Sequence, residues 1–190
     1  MADTWEALKT ECMNCRGCAL ADTRTNVVFG VGNESAEILL IGEGPGQSED
    51  EQGIPFVGAA GQLLDRYLYA VDIPRESVYI ANILKCRPPH NRDPLPEEQD
   101  ACIGYLREQV ALIEPKIIVC LGRIAAMRLI KPDFRITREH GQFFRKGNCL
   151  MTAVYHPAAL LRDASKKEDM LLDMERIKQE ADRIRKEIDA

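Results

Sequence analysis

Short runs of apolar residues, each followed by glycine, proline or polar residues, recur along the chain. Four of these runs are five to seven residues long and cover residues 37–41, 78–84, 116–121 and 150–155. Continuous apolar runs of this length are typical of strands that are buried on both faces of a sheet. We therefore predict four buried strands, with a further short strand at residues 27–30.

The stretches between the strands show helical spacing. Within residues 59–71 the apolar side chains recur at positions three and four apart, at Leu63, Leu64, Tyr67, Leu68 and Val71. Pro96 followed by Glu97 and Glu98 indicates the start of a helix that reaches about residue 113, because proline and acidic residues suit the first turn. Further helices are predicted over residues 4–10, 122–129, 158–162 and 166–189, and a hairpin-like region over residues 134–148.

Strands that alternate with helices favour a parallel sheet covered on both faces. The predicted fold class is therefore α/β, a three-layer α/β/α sandwich around a four-stranded parallel sheet. The chain shows neither a linker nor an internal repeat, so residues 1–190 are expected to form a single domain.

Composition and charge narrow the class of protein. A chain of 190 residues with 45% hydrophobic content can bury one core, and it has no apolar run of 18 residues, so no membrane span is expected. The N-terminus lacks a basic-then-apolar secretion signal, which predicts a cytoplasmic protein. The formal net charge of -5 argues against general affinity for nucleic acid but not against a local basic patch, and a monomer is the expected state.

A glycine-rich turn, GEGPG at residues 42–46, follows the first buried strand. Ligands of open α/β sheets bind at such C-terminal strand ends, so this turn predicts a binding pocket, with a simple strand-to-helix turn as the alternative. Its spacing and Pro45 depart from the dinucleotide fingerprint, and the carboxylate of Glu43 is unfavourable beside a pyrophosphate. The ligand predicted here is therefore something other than a phosphate.

Seven cysteines, an odd number at uneven spacing, indicate metal or cluster ligation more than a disulfide framework. Cys15 and Cys18 have a chelating spacing, and Cys86 and Cys102 are separated by 15 residues. Four such thiolates can hold an iron–sulfur cluster or a structural zinc ion, and the spacing does not separate the two. Cys12 forms a competing pair with Cys15, so the sequence alone does not say which pair ligates.

The two remaining cysteines are interpreted as structural. Cys120 falls inside the third predicted strand and Cys149 beside the fourth. A buried free cysteine commonly behaves as a small hydrophobic residue.

The motifs together carry a resemblance that covers the chain from about Cys15 to the C-terminal helix. They are Cys15-x2-Cys18-Ala-Leu, TRTNVVFG at 23–30, GEGPG at 42–46, Glu49-Asp50, Gly53-x-Pro-Phe-Val-Gly, Gly61-x-Leu-Leu, ANILKCRPP at 81–89, Asn91-Arg92 with Pro94 and Pro96-Glu-Glu, and His156-Pro157 ahead of LLR at 160–162. With these motifs in this order, the chain resembles the family 4 uracil-DNA glycosylases, the thermophile-type enzymes that carry a 4Fe–4S cluster.

The resemblance implies a fold, an activity and a cofactor. It implies a four-stranded parallel sheet with the base pocket at the C-terminal strand ends. The implied activity is hydrolysis of the N-glycosidic bond of a flipped-out uracil in single- or double-stranded DNA, for base-excision repair of deaminated cytosine. The implied cluster ligands are Cys15, Cys18, Cys86 and Cys102, which leaves Cys12 spare and makes the cluster a structural tie for the N-terminal loop.

The resemblance also implies roles in uracil binding and catalysis. Phe56 would stack on the flipped base, although ordinary core packing is the alternative. Asn82 would pair with the O4 and N3–H edge of uracil, since an amide both donates and accepts, and the alternative is a strand-end cap. His156 would donate to O2 as negative charge develops there, where a structural role is the alternative.

Glu43 and the Gly44 backbone would face the base and the sugar. The better-known uracil glycosylases position the attacking water with an aspartate where this chain has Gly44, so water activation needs another group. The hypothesis is that Glu43 orients the water or stabilises the cationic sugar. Glu49 is the expected wall at C5 that rejects thymine.

DNA contacts are expected from basic and apolar residues near the strand-end loops. Arg87, Arg92 and Arg162 would face phosphates, together with Arg123, Lys166 and Lys167, although a solvated surface is the alternative for each. Leu160 or Leu161 would fill the gap left by the flipped base, with core packing as the alternative.

Three other functions compete with glycosylase action. An iron–sulfur electron-transfer or sensor protein would make the cluster its working centre. A uracil-DNA binding protein that traps DNA covalently through a histidine is suggested by His90, but such proteins carry Gln at the place of Gly44 and a longer basic loop. A non-catalytic DNA-binding module would not release uracil at all.

Overall fold

The computed structural model describes residues 4–188 and contains six strands and nine α-helices within that range. The strands are β1 (Val31–Gly32), β2 (Ile38–Gly42), β3 (Tyr79–Asn82), β4 (Ile117–Leu121), β5 (Phe144–Lys146) and β6 (Cys149–Val154). The helices are α1 (Trp5–Met13), α2 (Leu20–Thr23), α3 (Gln47–Gln52), α4 (Ala59–Ala70), α5 (Pro96–Ile113), α6 (Arg123–Leu129), α7 (Ile136–Glu139), α8 (Pro157–Arg162) and α9 (Lys167–Ile188).

The strands form one sheet in the order β1-β3-β2-β4-β6-β5. Its four central strands, β3, β2, β4 and β6, are parallel, and the short strands β1 and β5 pair antiparallel at the two edges. The predicted four-stranded parallel sheet with helices on both faces is confirmed. The structure adds the two edge strands to it.

Two hydrophobic layers explain why the central strands are apolar throughout. Alternate residues of β2 point to opposite faces: Leu40 packs in the layer under α4 and α9, and Leu39 packs in the layer under α5 and α6. Both side chains have an exposure of 0%. Burial of such a side chain contributes about 1.5–3 kcal/mol, so a polar residue in these strands is costly unless it has a partner.

A third, smaller apolar cluster fixes the N-terminal segment. Leu8 and Cys12 of α1 pack with Phe29, Leu84 and the cysteines that follow β3 and start α5. Helix α1 thereby lies against α5 and brings the cysteine-rich loop beside the end of β3.

One local prediction was wrong, one helix was not predicted, and one predicted helix reaches beyond the described residues. Residues 27–30 form no strand: they are buried as a loop, and the Val28 N–H donates to the carbonyl of Lys85 at 2.8 Å. Residues 47–52, for which the sequence pattern predicts no helix, form α3, because Glu49 and Asp50 suit its first turn and Gly53, with a φ of 72°, ends it. The last predicted helix is α9, whose expected final residue, Asp189, lies outside the described residues.

The hairpin-like region is part helix and part strand. Helix α7 occupies its first half, and β5 then turns at Gly147 into β6. Over the described range, none of the helices combines the length and the apolar character needed to cross a membrane.

Candidate active site

One cavity opens at the C-terminal ends of the parallel strands. It is lined by the turn after β2, by the loop before α4, by the end of β3 with the loop that follows, and by the start of α8. The residues that carry its chemistry are Glu43, Gly44, Glu49, Phe56, Asn82, Arg92, Asp93, His156 and Arg162. The structure thus brings together all six of the residues predicted to bind uracil.

Asn82 ends β3 and is 1% exposed. Its Oδ1 is buried and has no hydrogen-bond partner among the described residues. Gly42, its register neighbour on β2, makes room for it, since a Cβ at Gly42 would lie 2.4 Å from Asn82 Oδ1 and 2.7 Å from the Phe56 ring. A buried amide oxygen without a partner is costly, which indicates that a ligand supplies its donor.

Phe56 lies in a loop that is fixed from two sides. Its φ of 52° is unusual for a non-glycine residue, and a Cβ at Gly61 would collide with its carbonyl oxygen at 2.0 Å. On the other side, Glu49 Oε1 accepts the N–H groups of Val57 at 3.0 Å and Gly58 at 2.9 Å. Helix α3 therefore positions the aromatic ring through Glu49.

His156 caps α8, and its Nδ1 accepts the Ala158 N–H at 3.1 Å. Burial, assisted by the positive charge of Arg162, lowers the pKa of His156 to about 4. The ring is therefore neutral at pH 7, and because Nδ1 accepts, the proton resides on Nε2. The Phe56 ring lies beside it, with the two ring centres 5.7 Å apart. His156 is thus a neutral donor at the edge of the cavity.

Glu43 follows β2 and is half-buried in the cavity. Burial and the nearby negative charge of Asp93 raise the pKa of Glu43 to about 7, against the opposing effect of Arg123. Carboxyl groups poised near neutral pH are typical of sites that exchange protons or respond to developing charge.

The basic residues at the rim differ in how far they are already engaged. Arg92 donates to both oxygens of Glu98 at 2.9 and 2.6 Å, so it also fixes the start of α5. Arg87 Nε donates to Asn91 at 2.7 Å. Arg162 lines the cavity, and no ion pair is recorded for it within residues 4–188.

The two adjacent leucines of α8 differ in solvent exposure. Leu160 is 1% exposed and belongs to the core, whereas Leu161 is 54% exposed. His90 is exposed on the loop after β3, and its neighbours Pro88 and Asn91 line the cavity.

A second cavity lies between α1, α5 and the loop after β3, and five cysteines line it: Cys12, Cys15, Cys18, Cys86 and Cys102. Three of these sulfur atoms already accept hydrogen bonds. Cys102 Sγ accepts the Lys85 N–H at 3.3 Å, Cys86 Sγ accepts from Arg24 at 3.4 Å, and Cys15 Sγ accepts the Gly17 N–H at 3.4 Å. Hydrogen bonds to sulfur are what stabilise cluster thiolates, so these residues fit such a group.

Across residues 4–188 no group of three His, Cys, Asp or Glu side chains is arranged to hold a single metal ion. A 4Fe–4S cluster needs no such group, because each of its four cysteines binds a different iron. Cys120 and Cys149 lie in β4 and β6.

Sequence reasoning missed the residues that shape the site without touching a ligand. Asp93 tunes Glu43, and Gly122, with a φ of 95°, makes room for His156, whose Cβ would lie 2.8 Å from a Cβ there. Gly122 directly follows β4, and Gly42 is the last residue of β2. The sequence therefore does show a glycine at the end of both strands.

Comparison with known proteins gives a consistent set of relatives. The family model described as the uracil DNA glycosylase superfamily matches residues 29–178. A Type-4 uracil-DNA glycosylase of Archaeoglobus fulgidus is 49% identical over 175 residues, which cover 88% of this chain and 88% of that protein. The Type-4 uracil-DNA glycosylase of Thermotoga maritima is 42% identical over 177 residues, covering 91% of this chain and 92% of that protein.

Proposed function

The chain belongs to the uracil DNA glycosylase superfamily, and we propose that it is a uracil-DNA glycosylase that hydrolyses the N-glycosidic bond of uracil in DNA. The product would be free uracil and an abasic site, which is the first step in base-excision repair of deaminated cytosine. The observation that carries the proposal is the buried Oδ1 of Asn82, which has no hydrogen-bond partner among residues 4–188 and lies at the cavity formed by the strand ends.

Recognition of uracil is assigned to Asn82 and Phe56. The uracil N3–H would donate to Asn82 Oδ1, and the amide Nδ2 would donate to O4, while the Phe56 ring stacks on the base. Cytosine presents an acceptor at N3 and an amino donor at C4, so it leaves both groups of Asn82 mismatched. These contacts offset the cost of flipping the nucleotide, which is about a few kcal/mol.

Bond cleavage places positive charge on the sugar and negative charge on the departing uracil. His156 Nε2–H would donate to uracil O2 as that charge develops, and a neutral imidazole does so without losing its own proton. Glu43, in its carboxylate form, would stabilise the cationic sugar or orient the attacking water. The Gly44 backbone, beside it, supports the base edge.

Two further roles concern specificity and DNA contact. We assign Glu49 as the side chain that lies against C5 of uracil and excludes the thymine methyl group. Its hydrogen bond to the Gly58 N–H supports this role, because a rigidly held side chain rejects the methyl group best. Of the two leucines, the exposed Leu161 suits the wedge that replaces the flipped base. Arg162, with Arg87 and Arg92, would contact phosphates of single- or double-stranded DNA.

The proposed cofactor is a 4Fe–4S cluster held by Cys15, Cys18, Cys86 and Cys102. The hydrogen bonds to three of these sulfur atoms support it, as does the burial of Cys86 and Cys102. The cluster would serve structure, joining the N-terminal loop to the loop after β3 and to α5. As a repair enzyme of this kind, the protein is proposed to act in the cytoplasm as a monomer.

The test is a cleavage assay with the protein in excess over single-stranded DNA that carries one uracil, with a thymine strand as control. We expect strand cleavage after alkali for the uracil strand only. A protein–DNA adduct that survives denaturation would instead favour trapping through His90. Intact uracil DNA, with the visible absorption of a cluster present, would favour the redox or binding-module alternatives and contradict the proposal.

A further inference from the structure

Lys85, between the two cavities, is a fully buried lysine that no part of the proposed mechanism uses. It is 1% exposed and stands three residues after Asn82 and directly before Cys86. Its Nζ donates to the carbonyl oxygen of Asn82 at 3.1 Å and to Gln109 Oε1 at 2.6 Å. Both acceptors are neutral.

A buried ammonium group is expensive unless an opposite charge lies near it. Within residues 4–188 no ion pair with a carboxylate is recorded for Lys85. Gln109 is itself held in place, because its Nε2 donates to the Phe29 carbonyl at 2.9 Å and to Tyr79 OH at 3.3 Å. The Phe29 ring adds a cation–π contact, with its centre 6.0 Å from Lys85 Nζ. These neutral partners orient the lysine, but none carries the negative charge that would balance it.

Lys85 lines the cysteine cavity described above. The backbone N–H of Lys85 donates to Cys102 Sγ at 3.3 Å. Thiolates that bind iron are negatively charged, so a bound cluster would supply the missing counter-charge.

We propose that Lys85 is the buried counter-charge of the cluster and, through the Asn82 carbonyl, the tether between the cluster and the uracil pocket. This inference rests on the cofactor proposed above. It makes Lys85 a positioning residue. Its charge would offset that of the cluster thiolates, and its hydrogen bond holds the end of β3, which carries the Asn82 side chain. Cluster and pocket would then share one residue, although they occupy separate cavities.

Two substitutions distinguish the positive charge of Lys85 from its hydrogen bond to the Asn82 carbonyl. Lys85→Met removes both, at similar length, whereas Lys85→Gln removes the charge and keeps an N–H donor in the network. Lys9→Met is the matched control, because Lys9 is exposed on α1, the helix that packs beside the cysteines. Thermal unfolding of each loaded protein establishes that it is folded.

The first measurement is the one-electron midpoint potential of the cluster. Loss of a nearby positive charge disfavours the added electron, so both Lys85 variants should shift the equilibrium against reduction at least tenfold, equivalent to a potential lower by about 59 mV. Lys9→Met should keep the wild-type potential. Equal potentials in the wild type and both Lys85 variants would contradict the proposal that Lys85 balances the charge of the cluster.

The second measurement is the affinity for free uracil, read together with the split between KM and kcat. Lys85→Met should weaken uracil binding about tenfold, and Lys85→Gln should weaken it less, because the Asn82 carbonyl keeps a donor. If the two variants lose the same affinity for uracil, the hydrogen bond from Lys85 to the Asn82 carbonyl does not position the pocket. A wild-type protein without cluster absorption overturns the cofactor and this inference together, whereas the uracil-cleavage assay decides the glycosylase proposal independently.

Discussion

At the residue scale, the recognition of uracil depends most on Asn82. Replacement by alanine removes both the acceptor for N3–H and the donor to O4. We expect the transition state for uracil release to lose about 2–3 kcal/mol of stabilisation, which lowers kcat/KM roughly 30- to 150-fold. Cleavage of a uracil-containing oligonucleotide under single-turnover conditions measures this loss.

Thr152 provides the matched control for Asn82. Its Oγ1 is also buried and unpartnered among the described residues, but it lies on β6, and the cavity lining does not include it. Thr152→Val removes that unsatisfied hydroxyl with almost no change in volume and should leave kcat/KM unchanged. If Asn82→Ala is as active as Thr152→Val, the assignment of the uracil edge to Asn82 is wrong.

Glu43 predicts a dependence of the reaction on pH. The pKa of Glu43 is raised to about 7, so below this pH the carboxylate fraction, and with it kcat/KM, should fall about tenfold per pH unit. Above it the profile should level off. His156 adds no limb in this range, because its pKa of about 4 keeps the ring neutral. A pH–rate profile of the free protein from about pH 5 to 9 measures the effect.

Two variants identify the group behind that profile. Glu43→Gln should be slow and flat with pH, because no carboxylate can form. Asp93→Asn removes a negative charge that raises the pKa of Glu43, so the midpoint should move to lower pH. A wild-type profile that stays flat, or a midpoint that Asp93→Asn does not move, contradicts the assignment.

At the element scale, α3 controls the position of the Phe56 loop through Glu49. Glu49→Ala removes the acceptor of the Val57 and Gly58 N–H groups. We expect a loss of about 1–2 kcal/mol in uracil affinity, roughly 5- to 30-fold in Kd, because the aromatic ring is no longer fixed. Titration of free uracil measures it.

Glu51, on the same short helix, is the control for this loop. It is exposed, and its side chain accepts a hydrogen bond from Gln47. Its backbone carbonyl accepts the Asn26 amide at 3.1 Å, a bond that alanine retains. Glu51→Ala should bind uracil as the wild type does. Should the two variants bind equally, Glu49 does not hold the loop; should Glu49→Ala gain activity on thymine, the proposed wall at C5 is supported as well.

Elements could be predicted from the sequence where burial on both faces makes a strand apolar throughout. That is why β2, β3, β4 and β6 were recognisable. Helix α3 was not, because its six polar or charged residues carry no apolar periodicity. Its tertiary contacts come from two carboxylates: Glu49 accepts N–H groups of the Phe56 loop, and Asp50 accepts those of Thr25 and Asn26. The loop at residues 27–30 is as apolar as a strand, but it packs beside the cysteines, a contact that local pattern cannot reveal.

At the scale of the whole molecule, the residues that line both cavities could be predicted from the sequence, but the closeness of the two cavities could not. Motifs in chain order predicted a pocket and a cysteine site separately. Only the register of β3 beside β2, and the packing of α1 on α5, place the pocket and the cysteines on either side of residues 82–86. Space-making glycines such as Gly42 are visible in a sequence, but the side chain that needs the space is not.

The distribution of charge over the molecule predicts how binding to DNA responds to salt. The formal net charge is -5, so attraction to phosphates must come from a local basic surface. The proposed surface is the rim at the C-terminal strand ends, where Arg87, Arg92 and Arg162 lie. Each phosphate contact on a single strand contributes about -0.7 to the slope of log affinity against log salt. Three contacts therefore predict a slope of about -2 for uracil-free single-stranded DNA.

Arg162→Ala should make that slope shallower by about 0.7, because one phosphate contact is lost. Arg185 is the matched control: it is exposed too, but it pairs with Glu37, which precedes β2 at the opposite end of the sheet. Arg185→Ala should keep the wild-type slope, and fluorescence anisotropy over about 50–200 mM salt measures all three proteins. If both variants change the slope equally, DNA is attracted by the molecule as a whole, and the strand-end rim is not the surface that receives it.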